Sequence, residues 1–280
     1  MEPTGRLFVV ATPIGNLDDL SPRAAEVLRR VAAIYCEDTR VTGKLASRFG
    51  FPAPRISCHA HNEEARVNEV VARLRRGEEV ALVSDAGTPA LSDPGERIVA
   101  AAAGAGFPVV AVPGPNAAAA ALSISGLPAV PHVFLGFPPA KAGARRAFFD
   151  RYRDRSETLV WFEAPHRLAA SLSDAAAALG ARPALVAREL TKIHEEALRG
   201  DLPALRDRIV ARESIRGECV VVASGAREAQ RPAAGAGEIE TRITALEGRG
   251  MTPREIAREV ARSIGVSSRE VYRRILERKA

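Results

Sequence analysis

The sequence predicts an α/β protein made of two α/β domains and a small C-terminal helical unit. Three observations support this prediction. Short apolar runs alternate with segments of helical period through most of the chain. The runs are apolar throughout, as in strands that are buried on both faces of a sheet. The last part of the chain has only helical patterns, and the length of 280 residues agrees with roughly two domains of about 150 residues each.

The first half alternates strands with helices. One helix begins after Ser21, which is followed by a first-turn proline, and a second is capped at Asn62. A third helix is predicted over 94–103. The alternation indicates a mostly parallel sheet that is covered by helices on both faces, ending near Pro113. The predicted strands are 7–11, 33–36, 80–83 and 109–112.

The second half is predicted to be another α/β unit with a mixed sheet. Helices are expected over 116–125, over 145–153 and after Arg167. The predicted strands are 133–135, 159–162, 184–187 and 219–223.

A basic helical unit is predicted at the end of the chain. Residues 227–237 are rich in Ala, Gly, Gln and Pro, as in a linker. Two capping boxes follow, at 252–255 and 267–270, with Gly265 ending the helix between them, which outlines a helix-turn-helix. From 238 to 280 there are ten Arg and Lys against seven Glu. RNA contact is the favoured interpretation, and a packing or dimerisation element is the alternative. The predicted domains are 1–113, 114–227, a linker at 228–237 and the helical unit at 238–280.

Composition narrows the classes of function. The net charge of +6 is compatible with a polyanionic partner. Three widely spaced cysteines without a CxxC pair indicate neither a disulfide framework nor a cysteine zinc site, so a reducing cytoplasm is expected. No signal peptide or membrane span is expected. The segment 58–61 carries two histidines, but it lacks a third ligand at a clear spacing, so no metal site is predicted.

Chemistry is expected at the ends of four strands, 7–11, 80–83, 109–112 and 159–162, because each is followed by a loop of Gly, Pro and polar residues. In open α/β sheets, ligands bind beyond the carboxyl ends of the strands. No dinucleotide fingerprint or phosphate loop is present, so the loops suit a ligand that small residues and backbone groups hold closely.

Five segments together resemble one family. It is the bacterial small-subunit ribosomal RNA cytidine 2′-O-methyltransferase family, within the tetrapyrrole-methylase-like enzymes that use S-adenosylmethionine. The resemblance spans nearly the whole chain. It implies two α/β domains with the cofactor in the cleft between them, and a homodimer. The segments are Ala11-Thr12-Pro13-Ile14-Gly15-Asn16-Leu17, Glu37-Asp38-Thr39-Arg40, Ser84-Asp85-Ala86-Gly87-Thr88-Pro89, Pro113-Gly114-Pro115-Asn116-Ala117 and Phe162-Glu163-Ala164-Pro165-His166-Arg167.

The resemblance also implies which residues bind the cofactor. Related tetrapyrrole methylases have Gly-Asp-Pro where this chain has Ser84-Asp85-Ala86. By residue type, Asp85 suits the polar ends of the cofactor, whereas Phe162, Leu190 and Ala117 suit the adenine ring. The implied cofactor residues are Pro13, Ser84, Asp85, Ala86, Gly87, Thr88, Pro89, Asn116, Ala117, Phe162, Glu163 and Leu190.

Methyl transfer to a ribose hydroxyl needs alignment, a proton acceptor and a cation near the developing oxyanion. Proximity contributes up to about 7–11 kcal/mol, and a general base contributes about 3–5 kcal/mol. Positioning is therefore expected to outweigh base catalysis. The candidate bases are Glu37, Asp38, Glu163, His166 and Glu189, and the candidate cations are Lys192 and Arg40.

Two alternatives remain open at the level of the sequence. A methyltransferase of a tetrapyrrole precursor or another small molecule would use the same cleft, but it leaves the basic helices without a role. A ligand-sensing regulator that binds nucleic acid would use those helices but form no methylated product. The favoured substrate is small-subunit (16S) ribosomal RNA, either naked or in the assembled small ribosomal subunit.

Overall fold

The computed structural model describes residues 5–59, 62–226, 236–264 and 266–278. The chain divides into two compact units. The larger unit extends to Arg153 and includes Glu157–Ser224, and the smaller one comprises Asp154–Ser156 and the chain from Gly225 onward.

A mostly parallel first sheet was predicted, and every described strand pairing in the first sheet of the larger unit is parallel. Its strand order is β3-β2-β4-β1-β5. Val10 at the end of β1 is in register with Val83 of β4 and Val112 of β5, so the loops after these strands leave the sheet side by side. The strands are β1 (Arg6–Val10), β2 (Ala33–Cys36), β3 (Arg55–Ser57), β4 (Glu79–Val83) and β5 (Val109–Val112).

Helices bury both faces of this sheet. Because successive strand residues point to opposite faces, Leu7 and Phe8 of β1 belong to two different apolar clusters. Phe8 shares its cluster with buried residues of α1, and Leu7 packs with buried residues of α3 and α4. The helices of this half are α1 (Pro22–Arg30), α2 (Thr39–Phe49), α3 (Glu63–Arg75) and α4 (Glu96–Gly104).

The second sheet is mixed, as predicted. Its order is β6-β7-β10-β8-β9, in which only the β6–β7 pairing among those described is parallel. The strands are β6 (His132–Phe134), β7 (Thr158–Glu163), β8 (Pro183–Arg188), β9 (Glu196–Asp201) and β10 (Cys219–Ala223). The helices are α5 (Ala117–Ser125), α6 (Ala142–Asp150), α7 (Leu168–Leu179) and α8 (Leu202–Val210).

The two faces of the second sheet have different partners. Trp161 of β7 packs with Phe149 of α6 and Leu168 of α7 on one face. Val160, its neighbour in β7, packs on the other face with Leu122 of α5 and with Ile14, which follows β1. The second face therefore meets the loop at the end of the first sheet.

The described part of the smaller unit contains three helices, α9 (Ala236–Glu247), α10 (Pro253–Ile264) and α11 (Ser268–Glu277). Both predicted capping boxes begin helices. Thr252 N donates to Glu255 Oε2 at 2.9 Å, and Glu270 N donates to Ser267 Oγ at 3.2 Å. The predicted stop at Gly265 and most of the predicted linker lie outside the described residues. The apolar faces meet in one core of Ile239, Ile243, Ile256, Ala257, Val260, Val271 and Ile275.

Among the described α-helices and strands, four were not predicted from the sequence, namely α2, β3, α8 and β9. Gly43 interrupts the helical pattern of α2, and β3 has only three residues. The segment that forms β9 is largely polar and lies at the sheet edge. The start of α8 does carry a signal, because Asp201 accepts a bond from Ala204 N at 2.8 Å and a proline follows in the first turn.

Two further findings concern single features. Asn62 occupies the N-cap position of α3 as predicted, but its side chain makes no cap bond there. Instead its Oδ1 accepts from His59 N at 2.8 Å. In the described part of the chain, no helix has both the length and the apolar character needed to cross a membrane.

Candidate active site at the strand ends

The loops after β1, β4 and β5 are bonded to one another. Thr12 N donates to Gly87 O at 2.9 Å, and Gly87 N donates back to Thr12 O at 3.1 Å. The Thr12 hydroxyl donates to Ser84 O at 3.1 Å, and the Thr88 hydroxyl donates to Pro115 O at 3.3 Å. Three of the loops that the sequence singled out therefore form one continuous surface.

The loop between β4 and α4 is held in an unusual conformation. Gly87 has φ +82°, which suits glycine, but Ala90 and Ser92 also have positive φ, +63° and +69°. Such backbone conformations cost about 1–3 kcal/mol each and concentrate at functional sites. Glu63, which is buried, fixes the far end of the loop by accepting from Gly95 N and from Arg97 N, each at 3.0 Å.

The second sheet completes this surface. Asn16 N donates to Thr191 Oγ1 at 3.0 Å, across 175 residues of sequence. A Cβ added to Gly15 would lie 2.5 Å from Lys192 Cγ and 3.0 Å from Leu190 O, so only glycine permits this approach. The β1 loop and the turn between β8 and β9 are therefore in direct contact.

An apolar wall lies beside these contacts. Ala117, Phe162 and Leu190 belong to one cluster, which also includes Ile14. The Phe162 ring contacts Phe134 edge-on, with centroids 4.9 Å apart. The three residues that the sequence assigned to an adenine ring thus pack in one cluster.

Carboxylates crowd the ends of β2 and β4. Asp38 N donates to Asp85 Oδ1 at 2.9 Å. Burial raises the pKa of Asp85. Partial burial and the neighbouring Asp85 charge also raise the pKa of Glu37, although Glu37 as a whole residue is exposed. Burial, together with Glu37 and Asp85, raises the pKa of Asp93 to about 6. Sequence reasoning missed Asp93, because only the folded loop brings it to the other carboxylates.

Asp38 and Arg40 form a local ion pair. The Arg40 side chain donates to Asp38 Oδ2 at 2.6 Å, and Arg40 N donates to Asp38 Oδ1 at 2.8 Å. These hydrogen bonds lower the pKa of Asp38 to about 2. The Asp38 carboxylate therefore caps α2, and Arg40 points mostly into solvent, with 88% of its side chain exposed.

Glu163 and His166 lie in different surroundings. Glu163 follows Phe162 in β7, so its side chain points to the opposite face of the sheet. There it is fully buried and lies 3.1 Å from Arg167 Nε, while Ala164 N donates to Glu163 Oε1 at 3.0 Å. This arrangement favours a structural role for Glu163. His166 is exposed in the short 3-10 helix Pro165–Arg167.

Lys192 is held by two carboxylates. Its Nζ lies 2.8 Å from Glu189 Oε1 and 3.2 Å from Glu218 Oε2. Partial burial alone would lower the pKa of Lys192, but the bonds to Glu189 and Glu218 outweigh it and raise that pKa. The bond to Lys192 in turn lowers the pKa of Glu189. Both groups are therefore charged at neutral pH.

A cavity of about 620 Å³ opens beside this ion pair. Its walls come from the β1 loop and from the turn after β8, that is, from both sheets of the larger unit. The lining consists of Gly15–Asp18, Glu189 and Thr191–His194.

Comparison with known proteins identifies the class. Residues 6–206 match the family model for Tetrapyrrole (Corrin/Porphyrin) Methylases. A solved structure of uroporphyrin-III C-methyl transferase from Thermus thermophilus, complexed with S-adenyl homocysteine, has a TM-score of 0.52 and 21% identity. The match covers 78% of this chain and 97% of that one, so the two proteins share a fold. The predicted fold class is thereby confirmed, and the chain has the fold of a tetrapyrrole methylase.

Curated relatives define the family more narrowly. Ribosomal RNA small subunit methyltransferase I of Xylella fastidiosa (strain Temecula1) is 45% identical over 97% of this chain and 99% of its own length. The protein of the same name from Micromonospora olivasterospora is 44% identical over 97% of this chain and 87% of its own length. The chain belongs to the ribosomal RNA small subunit methyltransferase I family, which confirms the resemblance predicted from the sequence.

Proposed function

We propose that this protein transfers a methyl group from S-adenosylmethionine to the ribose 2′-hydroxyl of a cytidine in small-subunit ribosomal RNA. The observation that carries the proposal is the meeting of loops from both sheets at one place, through the Thr12–Gly87 and Asn16–Thr191 bonds. Family membership supports the reaction class and the RNA substrate.

The residues at the strand ends fit the cofactor. An adenosine group needs an apolar wall, acceptors for its hydroxyls and backbone groups at close approach. Ala117, Phe162 and Leu190 supply the wall, and Asp85 supplies a partly buried acceptor. Pro13 and the other residues of 84–89 and 116 would line the remaining sides. When bound, S-adenosylmethionine supplies a methyl carbon that its sulfonium makes electrophilic.

The chain's own residues would hold the acceptor oxygen in line and take up its proton. We assign proton acceptance to Glu37, which directly follows β2, and to Asp93, in the loop between β4 and α4, because both have raised pKa values. Lys192 would stabilise the developing oxyanion. The mutual ion pair of Asp38 and Arg40 favours capping over catalysis for both. A role for His166 stays a proposal, tested by an alanine variant in single-turnover methylation.

The smaller unit would contact the RNA. Arg254 and Arg258 are exposed on α10, and Arg269 and Arg273 are exposed on α11. Arginine on an exposed helical face suits phosphate contacts. Assembly as a homodimer, a cytoplasmic location and the assembled small subunit as substrate are further parts of the proposal.

Nucleoside mass spectrometry of ribosomal RNA from cells with and without the gene tests the proposal. We expect 2′-O-methylcytidine at one small-subunit position to disappear without the gene and to return with the wild-type chain. Labelled methyl transfer offered to small subunits and to a uroporphyrin-type substrate is the complementary assay. Label in the tetrapyrrole alone, or an unchanged methylation pattern in the deletion, contradicts the proposal.

A further inference from the structure

We propose that the 620 Å³ cavity receives the target base after it leaves its RNA stack, and that Asp18 reads the exocyclic amine of cytosine. This inference rests on the proposed function. Enzymes that act on a base draw the nucleotide out of its stack, and drawing out the target nucleotide here would let its ribose enter between the loops of the two sheets. The extruded base then needs a pocket of its own next to the reacting sugar.

The cavity has the size and position that this role requires. Its volume lies within the range of about 300–1,000 Å³ that is typical of small-molecule sites. Glu189, Thr191 and Lys192 in its wall flank or follow Leu190, which belongs to the apolar wall assigned to the cofactor. A nucleoside in this cavity would therefore lie beside the segment that carries Leu190.

Two aliphatic side chains that line the cavity are exposed to solvent. Ile193 is 97% exposed and Leu17 is 40% exposed, and both line the cavity. They come from two different segments of the lining, the turn after β8 and the β1 loop. A pyrimidine that contacts both side chains would cover apolar surface on each.

The wall is held in place before any ligand arrives. Thr191 Oγ1 accepts from Asn16 N at 3.0 Å, and Thr191 N donates to Glu195 Oε2 at 2.6 Å. Glu189 and Thr191 both have positive φ, +52° and +66°. Strained residues persist where the surroundings fix them, and they concentrate at ligand sites.

Asp18 supplies selectivity for cytosine. A carboxylate accepts from the N4 amine of cytosine, whereas the O4 of uracil would repel it. The Glu189 carboxylate is already used by Lys192 Nζ and by Glu218 N, at 2.8 and 3.0 Å. The Asp18 side chain is 79% exposed, and Arg48 Nη2 lies 4.0 Å from Asp18 Oδ1. The Asp18 carboxylate can therefore still accept a hydrogen bond from a ligand.

Single-turnover methylation of reconstituted small subunits tests this inference. The subunits carry either cytidine or uridine at the methylated position mapped by mass spectrometry. For Asp18→Asn we expect a fall of about ten- to a hundredfold in the rate on cytidine, and a similar fall in the preference for cytidine over uridine. Asp19→Asn changes the neighbouring exposed carboxylate, which does not line the cavity, and should keep both values.

Ile193→Ala tests the apolar wall. We expect a several-fold higher half-saturating concentration of subunits for this variant. Val210→Ala, which truncates an exposed side chain on α8, should leave that concentration unchanged. In calorimetry, the Asp18→Asn and Ile193→Ala variants should both bind S-adenosylmethionine with the wild-type affinity. An active wild type with unchanged cytidine preference in Asp18→Asn overturns the inference alone. A wild type that methylates no ribosomal RNA overturns the proposed function as well.

Discussion

Replacing Asp93 with asparagine should stabilise the protein at pH 8 and change its stability little near pH 4. The carboxyl of Asp93 is crowded by Glu37 and Asp85 and is partly withdrawn from water, so its pKa in the folded chain is about 6 instead of 3.8. In the unfolded chain these neighbours are gone and the ordinary pKa returns. The folded state therefore binds the Asp93 proton more tightly than the unfolded state does.

The magnitude follows from linkage. A raised acid pKa contributes stability at pH values below 3.8, and that contribution is lost as the pH rises through about 6. The stability lost in this way is about 3 kcal/mol at pH 8, whereas at pH 4 it is only about 0.5 kcal/mol. Asparagine has nearly the same shape and no charge, so Asp93→Asn should recover about 1–3 kcal/mol at pH 8, the lower values applying where solvent screens the cluster.

Urea unfolding of the wild type and of Asp93→Asn, at pH 8 and at pH 4, measures this difference. Asp150→Asn on α6 is a suitable control, because its carboxylate is half-exposed beside Arg153 and is not part of the cluster. An Asp93→Asn variant that is equally or less stable than wild type at pH 8, or that gains the same amount at both pH values, would refute the reasoning.

Three further predictions concern other parts of the chain. Gly15→Ala places a methyl group 2.5 Å from Lys192 Cγ in the facing turn, so we expect at least a tenfold loss of methylation activity. The control Gly143→Ala in α6 adds its methyl group to open space and should keep wild-type activity. Equal activity of the two variants would contradict the close approach at Gly15. Arg167→Met leaves the fully buried Glu163 carboxylate without its cation and should cost about 3–5 kcal/mol in urea unfolding. The double variant with Glu163→Gln should recover part of the lost stability. A double variant no more stable than Arg167→Met would argue against the Glu163–Arg167 ion pair. Arg258→Ala should weaken RNA binding and make its dependence on log salt shallower by about one, whereas an unchanged slope removes this residue from the RNA contact.

Most strands could be predicted from the sequence because a strand that is buried on both faces is a continuous apolar run. The bounds of β2, β5 and β10 agree with the predicted runs at 33–36, 109–112 and 219–223. The edge strands β3 and β9 were missed because one is very short and the other is mostly polar. Their pairing depends on neighbours that are distant in sequence.

The site could be predicted only in part. Motifs identified the loops after β1, β4 and β5, which do lie together. The contact of Asn16 with Thr191 joins segments 175 residues apart, and no local pattern marks it. The raised pKa of Asp93 likewise arises from charges brought near by folding. Strand alternation places Phe162 and Glu163 on opposite faces of β7, but the sequence does not show which of the two faces meets the site.

Calorimetric titration of the full chain with S-adenosylmethionine tests the central claim most directly. The claim is that loops from both sheets form one cofactor site. We expect one molecule bound per chain, weaker binding in Phe162→Ala, and wild-type binding in Phe148→Ala, which removes a partly buried ring from α6 on the other face of the second sheet. A chain that binds no S-adenosylmethionine, or one that binds it equally well in all three forms, would contradict the account.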